Sequence, residues 1–92
     1  MKVILEGYIK VAEMDIPAIQ NELPKHILLT RQEMGCLVFK VSQDPYNRSI
    51  FFVYEEFVDM TAFESHQERI KDSHWAKISE SVERHYQMKI GN

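Results

Sequence analysis

The chain has 92 residues, of which 45% are hydrophobic and 27% charged, and its 11 Lys and Arg against 14 acids leave a net charge of −3. That is enough for one globular domain, residues 1–92, and too little for a second. No basic field exists to attract nucleic acid. No run approaches the roughly 18 apolar residues of a membrane span, and Glu6 comes too early for a secretory signal. The expectation is a soluble cytoplasmic protein with neither nucleic acid nor membrane as partner. A lone Cys36 excludes an internal disulfide and every multi-thiolate zinc pattern, and reads as a small buried hydrophobe.

Lys2 to Val11 alternates Val3, Leu5, Ile9 and Val11 against Ile4, Glu6, Tyr8 and Lys10, a strand with one clean apolar face that Gly7 interrupts as a bulge or close approach. Asp15 offers an N-cap ahead of Pro17, and Ile16, Ile19, Leu23, Ile27 and Met34 keep a helical stripe toward a stop at Gly35. Pro24 predicts a break, giving a helix over about 15–22 and a second segment from Pro24 to near Glu33. Cys36 to Gln43 is the next strand, with Leu37, Phe39 and Val41 opposite Cys36, Val38, Lys40 and Ser42, and Asp44 to Ser49 has the residues of a hairpin turn.

The strand from Ile50 to Val58 is apolar on both sides, with Ile50, Phe52, Tyr54 and Val58 opposite Phe51, Val53 and Phe57. After it, Asp59 or Thr61 can cap a helix whose face runs Met60, Phe63, His66 or Gln67, and Ile70. Asp72 and Ser73 can cap a short helix bearing Trp75, Ile78 and Val82, and Arg84 to Ile90 alternates as a last strand. The order strand, broken helix, strand, strand, helix pair, strand predicts an α+β ferredoxin-like split βαβ fold: four antiparallel strands, the first and third central, with helices on one face. The strand that is apolar front and back predicts a second copy on the helix-free face, two sheets closing into a dimeric α+β barrel around a pocket for a small organic molecule.

No motif carries chemistry at high specificity. With glycine only at 7, 35 and 91, neither a dinucleotide fingerprint nor a phosphate-cradling loop can be written onto the chain. His26, His66, His74 and His85 lack the spacing of a metal site, so no metal is expected, although ligands gathered from distant strands stay open. His66 falls on the apolar helix stripe between Phe63 and Ile70, where an imidazole is either a paired core group or a general base. Glu55 and Glu56 point to opposite faces of an apolar strand, so one of them sits among buried groups and needs a partner or a role. Trp75 reads as core or pocket wall, while His74 and His26 read as exposed first-turn residues, His26 near amides that an anion could use.

The segment from Leu23 to Leu37 with its Glu-x-Gly-Cys stop, then Gln43-Asp44-Pro45, Val53-Tyr54-Glu55-Glu56-Phe57, Ala62-Phe63, His66 and Ser73-His74-Trp75 together resemble the antibiotic biosynthesis monooxygenase domain, including its quinol monooxygenases. The resemblance spans nearly the whole chain. It implies a dimeric ferredoxin-like barrel and, as in characterised members, oxidation of a quinol or polyphenol by O2 without flavin, haem or metal, hence no cofactor. It casts His66 as base or hydrogen-bond partner, Glu55 as its orienter or a second polar anchor, and Trp75, Phe39 and Phe51 with His26 around the substrate. Alternation leaves open whether Phe39, Phe51 and Glu55 share the helix-covered face. Haem-degrading relatives carry Trp at the position of His66, Asn near Gly7 and a haem-ligating His near Ser79, none of which is present. A branch resembling isomerases of phosphorylated signalling sugars shares the Gln-Asp-Pro turn, the Tyr-Glu strand and the later His, with His26, Lys25 or Arg31 then receiving the phosphate. A non-catalytic binding dimer is the third expectation.

Overall fold

A computed structural model describes residues 1–91. Its strands are β1 (Val3–Lys10), β2 (Cys36–Gln43), β3 (Ile50–Phe57) and β4 (Glu83–Ile90), and its helices are α1 (Ile16–Arg31), α2 (Met60–Lys71) and α3 (His74–Ile78), with a 3-10 turn at Glu13–Asp15 leading into α1. The strands form one sheet in the order β2-β3-β1-β4, every neighbouring pair antiparallel. This is the ferredoxin-like α+β arrangement, with β1 and β3 central as the order of elements predicted. Among the described residues no helix is long and apolar enough to cross a membrane.

Period-two alternation places Val3, Leu5 and Ile9 of β1 and Phe51, Val53, Glu55 and Phe57 of β3 on the buried, helix-covered face. Phe39 of β2 is buried with them, so Phe39, Phe51 and Glu55 do share that face. One apolar cluster joins Ile9, Val11, Phe51 and Val53 to Ile16 and Ile19 of α1, Trp75 of α3 and Val82; a second joins Val3, Leu5 and Phe57 to Phe63 of α2. Gly7 is a close approach: a Cβ there would stand 1.9 Å from the carbonyl oxygen of His85 on β4. The outer face is mixed. Phe52 is 47% exposed and Tyr8 stacks on His85 at 4.7 Å, while Tyr54 donates to Glu56, which also pairs with Lys2.

Three local expectations change. The helix does not break at Pro24 but runs unbroken through it. Pro24 and Gln20, whose carbonyl loses its helical donor to the proline ring, both lie on the exposed side, where water can replace the missing bond. The buried stripe also leaves the apolar residues. Beyond Leu23 the sheet meets His26 and Thr30, whereas Ile27 is half-buried and Met34 is 95% exposed. On β2 a register shift between Cys36 and Val38 turns Leu37 outward and leaves Cys36 packed against the second cluster, so Leu37 does not share the face of Phe39.

The helix signals are otherwise local and clear. Asp59 rather than Thr61 caps α2, its carboxylate accepting from the Ala62 N–H at 2.8 Å, and Ser73 caps α3 by accepting from Ala76 at 3.2 Å. Gly35 ends the turn after α1 at φ +89°, a conformation that strains any side chain, and a Cβ there would meet the Cβ of Ala62 at 2.5 Å. Its carbonyl accepts from the N–H of Val58 at 2.8 Å. This contact brings the end of α1 against the start of α2, and so sets Glu33 beside His66.

Candidate functional site

A cavity of about 280 Å³ lies between the inner face of the sheet and the helices. Its aromatic walls are Phe39, Phe63 and Trp75, and its polar groups are His26, Glu55, His66, Gln67, Arg84 and Tyr86. Each helix supplies one wall by its own periodicity: α2 turns Phe63 and His66 inward three residues apart, α1 supplies His26, and the short α3 delivers Trp75. Of the two candidates on α2, His66 is the buried one, while Gln67 lines the cavity from an exposed position.

His66 is buried and both of its nitrogens face carboxyls. Nδ1 lies 2.8 Å from Oε1 of Glu33, and Nε2 lies 3.8 Å from Oε1 of Glu55. Glu33 in turn accepts from Nε of Arg69, whose Nη2 donates to Oγ1 of Thr30 at 3.0 Å. Ionised Glu33 is acceptor-only, so the Nδ1–H tautomer of His66 donates to it and Nε2 keeps its lone pair toward the cavity. Burial lowers the pKa of His66, with Glu33 opposing that shift and Arg69 adding to it, so the ring carries no charge at neutral pH.

Glu55 stands in register between Leu5 of β1 and Phe39 of β2, and this apolar setting, with the Glu33 charge adding, pushes its pKa up to about 8. At neutral pH both groups are uncharged, so the approach of Glu55 to His66 is not an ion pair. The expectation that His26 is exposed does not hold: it is 4% exposed, stacked on Trp75 at 4.4 Å and 6°, and meets Phe39 edge-on at 5.4 Å. Burial, then His66 and Arg69, push its pKa down to about 3, and the ring is neutral. Among the described residues, two buried side-chain polar atoms lack a hydrogen-bond partner, Nδ1 of His26 and Oε1 of Glu55, and both residues line this cavity. Burial of the Tyr86 hydroxyl, then Glu55, push its pKa up to about 12.

Of the residues singled out in the sequence, His66, Glu55, Trp75, Phe39 and His26 come together here. Phe51 is buried in the first apolar cluster and is not among the lining residues. His74 is exposed, as expected of a first-turn residue. Sequence reasoning missed Glu33 as the partner of His66. Its only signal was its place in the Glu-x-Gly-Cys stop, and nothing in a spacing of 33 residues announces the contact. Arg69 was missed as well, although its place one turn after His66 on the same helix face was a signal.

The sequence profile of the antibiotic biosynthesis monooxygenase family matches residues 2–81. The chain belongs to that family. Arg84 and Tyr86 on β4 lie past the matched segment, so this antibiotic biosynthesis monooxygenase domain completes its cavity with a strand the profile does not reach. Solved structures agree on the fold. A proposed antibiotic biosynthesis monooxygenase from Deinococcus radiodurans superposes with a TM-score of 0.76 at 20% identity, over 98% of this chain and 92% of that one. A second, from Nitrosomonas europaea, gives 0.76 at 16% identity over 100% and 98%. A protein of unknown function from Bacteroides thetaiotaomicron, described as a possible oxidoreductase, gives 0.76 at 17% over 96% and 95%. At these identities the likeness establishes the fold alone. Among curated proteins no significant match was found.

Proposed function

We propose that this antibiotic biosynthesis monooxygenase domain oxidises a small quinol or related polyphenol with O2, His66 serving as the base. The observation that carries the reading is the imidazole itself. One nitrogen is tied to Glu33 and the other is left free toward an enclosed, aromatic-walled space. A volume of about 280 Å³ suits one or two fused rings, since a cavity of about 150 Å³ already holds benzene.

The chemistry follows from the substrate's own electrons. A quinol and O2 give a hydroxyquinone and water, with all four electrons coming from the quinol. The barrier lies in making the ring electron-rich enough to pass an electron to oxygen. Removing a phenolic proton does that, and Nε2 of neutral His66 is a suitable acceptor. As the imidazole becomes cationic, Glu33 stabilises it and Arg69 holds Glu33 in place. The dry enclosure strengthens these interactions and shields the reactive pair from water.

Oxygen-electrode traces with methylhydroquinone and naphthohydroquinone test the reading: uptake above the autoxidation rate is expected with no added cofactor. His66→Ala is expected to lower that rate by about 100- to 10,000-fold; an unchanged rate would remove His66 from the role. The isomerase reading finds less support. Lys25 is exposed, Arg31 spends Nε and Nη2 on the Phe39 carbonyl at 3.0 and 2.8 Å, and His26 is neutral and buried. A binder without turnover would gain thermal stability with either hydroquinone and consume no oxygen.

The site reading extends to a homodimer through the helix-free face. Tyr8, Phe52 and Tyr54 border an open depression there, and at the β4 edge Met88 and Ile90, which share the inner face with Leu5 and Val3, are left exposed as well. Such surface is costly in water and suits a second sheet. Sedimentation at micromolar concentration is expected to give twice the chain mass, and a stable single subunit would overturn the dimer.

A further inference from the structure

Glu55 is a buried acid that no neighbour satisfies. It is 5% exposed, sits mid-strand between Leu5 and Phe39, and its Oε1 accepts no hydrogen bond. A carboxyl kept for structure would have taken an arginine, yet Arg84, which lines the same cavity, and Arg69 are both engaged elsewhere. Arg84 donates through Nη2 to Oγ of Ser79 at 3.0 Å, and Arg69 serves Glu33 and Thr30. Orphaned buried polar atoms are rare and costly enough to need a reason. Here the orphan faces the cavity, 3.8 Å from the one nitrogen of His66 that Glu33 leaves free.

Resting on the quinol reading above, we propose that Glu55 is the second acid–base group of the site: it protonates the peroxide formed on the substrate ring and then takes the proton from the carbon that bears it. His66 acting alone would give up the phenolic proton to the peroxide and have none left for the departing oxygen. Once it holds the phenolic proton it is an acid, and the later step needs a base and an acid together. In sequence, Nε2 of His66 removes the phenolic proton, an electron passes to O2, and the two radicals couple as a C–O bond ortho to the former hydroxyl. The protonated Glu55 carboxyl gives its proton to the terminal peroxide oxygen. The resulting Glu55 carboxylate then removes the hydrogen on that carbon as the O–O bond breaks. The departing hydroxide takes the proton held by His66 and leaves as water. Both residues end as they began, and quinol plus O2 has become hydroxyquinone plus water.

The surroundings of Glu55 suit an acid that is protonated first. His66 from α2 and His26 from α1 face it as neutral rings, Tyr86 and Arg84 reach the cavity from β4, and the Glu33 charge behind His66 further favours the protonated form. With Glu55 titrating near 8, the first step is available at neutral pH and is lost above it.

The test compares wild type, Glu55→Gln and Glu55→Asp with methylhydroquinone, following oxygen uptake, released hydrogen peroxide and hydroxyquinone. Gln keeps the size and a hydrogen-bond donor but neither gives up a proton nor accepts one. The expected result for Glu55→Gln is a fall in hydroxyquinone of about a hundredfold with KM little changed, the oxygen consumed returning as hydrogen peroxide and quinone. Glu55→Asp, which keeps the carboxyl, is expected to restore part of the hydroxyquinone yield. The wild-type profile should fall above about pH 8, and Glu55→Gln should lack that limb. Hydroxyquinone formed at the wild-type rate by Glu55→Gln would overturn the proposal, as would a raised KM with every oxygen consumed still appearing in product, because a mere anchor behaves that way. Wild type that takes up no oxygen at all would instead sink the underlying quinol reading, and this one with it.

Discussion

The two halves of α1 lie against one sheet and bury opposite kinds of side chain. Before Pro24 the helix buries Ile16 and Ile19 against Ile9, Val11 and Phe51, a contact with no polar atom to satisfy. After Pro24 it buries His26 and Thr30, which face Trp75, Phe39 and the Arg69 guanidinium. The first half has the composition of a core and the second that of a site. A helix continuous through Pro24 lets the first half hold the second in position. The polar cluster with its two orphan atoms costs stability, and the apolar half offsets it.

Deleting a ring from the apolar half should therefore show the largest effect. Phe51→Ala is expected to destabilise the fold by about 3–5 kcal/mol in urea denaturation, through lost burial and the cavity left behind. Any oxygen uptake per folded molecule should persist, as Phe51 does not line the cavity. A loss under about 1 kcal/mol would mean that the supposed core half relaxes around the gap and that the contrast is wrong.

The polar half should reveal itself through pH, with a smaller effect. Glu55 shifts from an ordinary value of 4.5 to about 8, so the unfolded chain releases its proton first and stability falls as pH rises through that window, levelling beyond it. His26 shifts from 6.5 to about 3, so the unfolded chain takes up a proton first and stability falls as pH drops from 6.5 toward 3. His66, also lowered, adds to the acid side. Each limb should amount to about 1–3 kcal/mol, leaving greatest stability where the two windows overlap, between pH 4.5 and 6.5. Urea midpoints across pH measure this. Glu55→Leu should flatten the alkaline limb and His26→Phe, which keeps a ring on Trp75, the acid one. A midpoint constant from pH 6.5 to 8 in the wild type would show that Glu55 is not held neutral by the fold.

Much of the architecture was legible because its causes are local. Alternation gave the strands, Asp59 and Ser73 cap the residues that follow them, and Gly35 takes the positive φ that ends the turn after α1. His66 was legible as a site candidate because an imidazole on an apolar stripe is anomalous wherever the stripe leads. Pro24 misled because the cost of a proline in a helix depends on whether water reaches the freed carbonyl, and only the packing decides that. Leu37 misled because a bulge is a property of two paired strands rather than of one.

Order of elements, the covered face of β1 and the membership in the monooxygenase family thus follow from residue types and short spacings, each acting over a few bonds or one turn, whereas which face of β3 is covered was left to the packing. The state of the site does not. His26 becomes a buried neutral ring, Glu55 an unpartnered acid, and Glu33 the partner of His66 across 33 residues of chain. Desolvation and charge act through space, and the distances over which they act exist only once α1 and α2 have closed over the sheet.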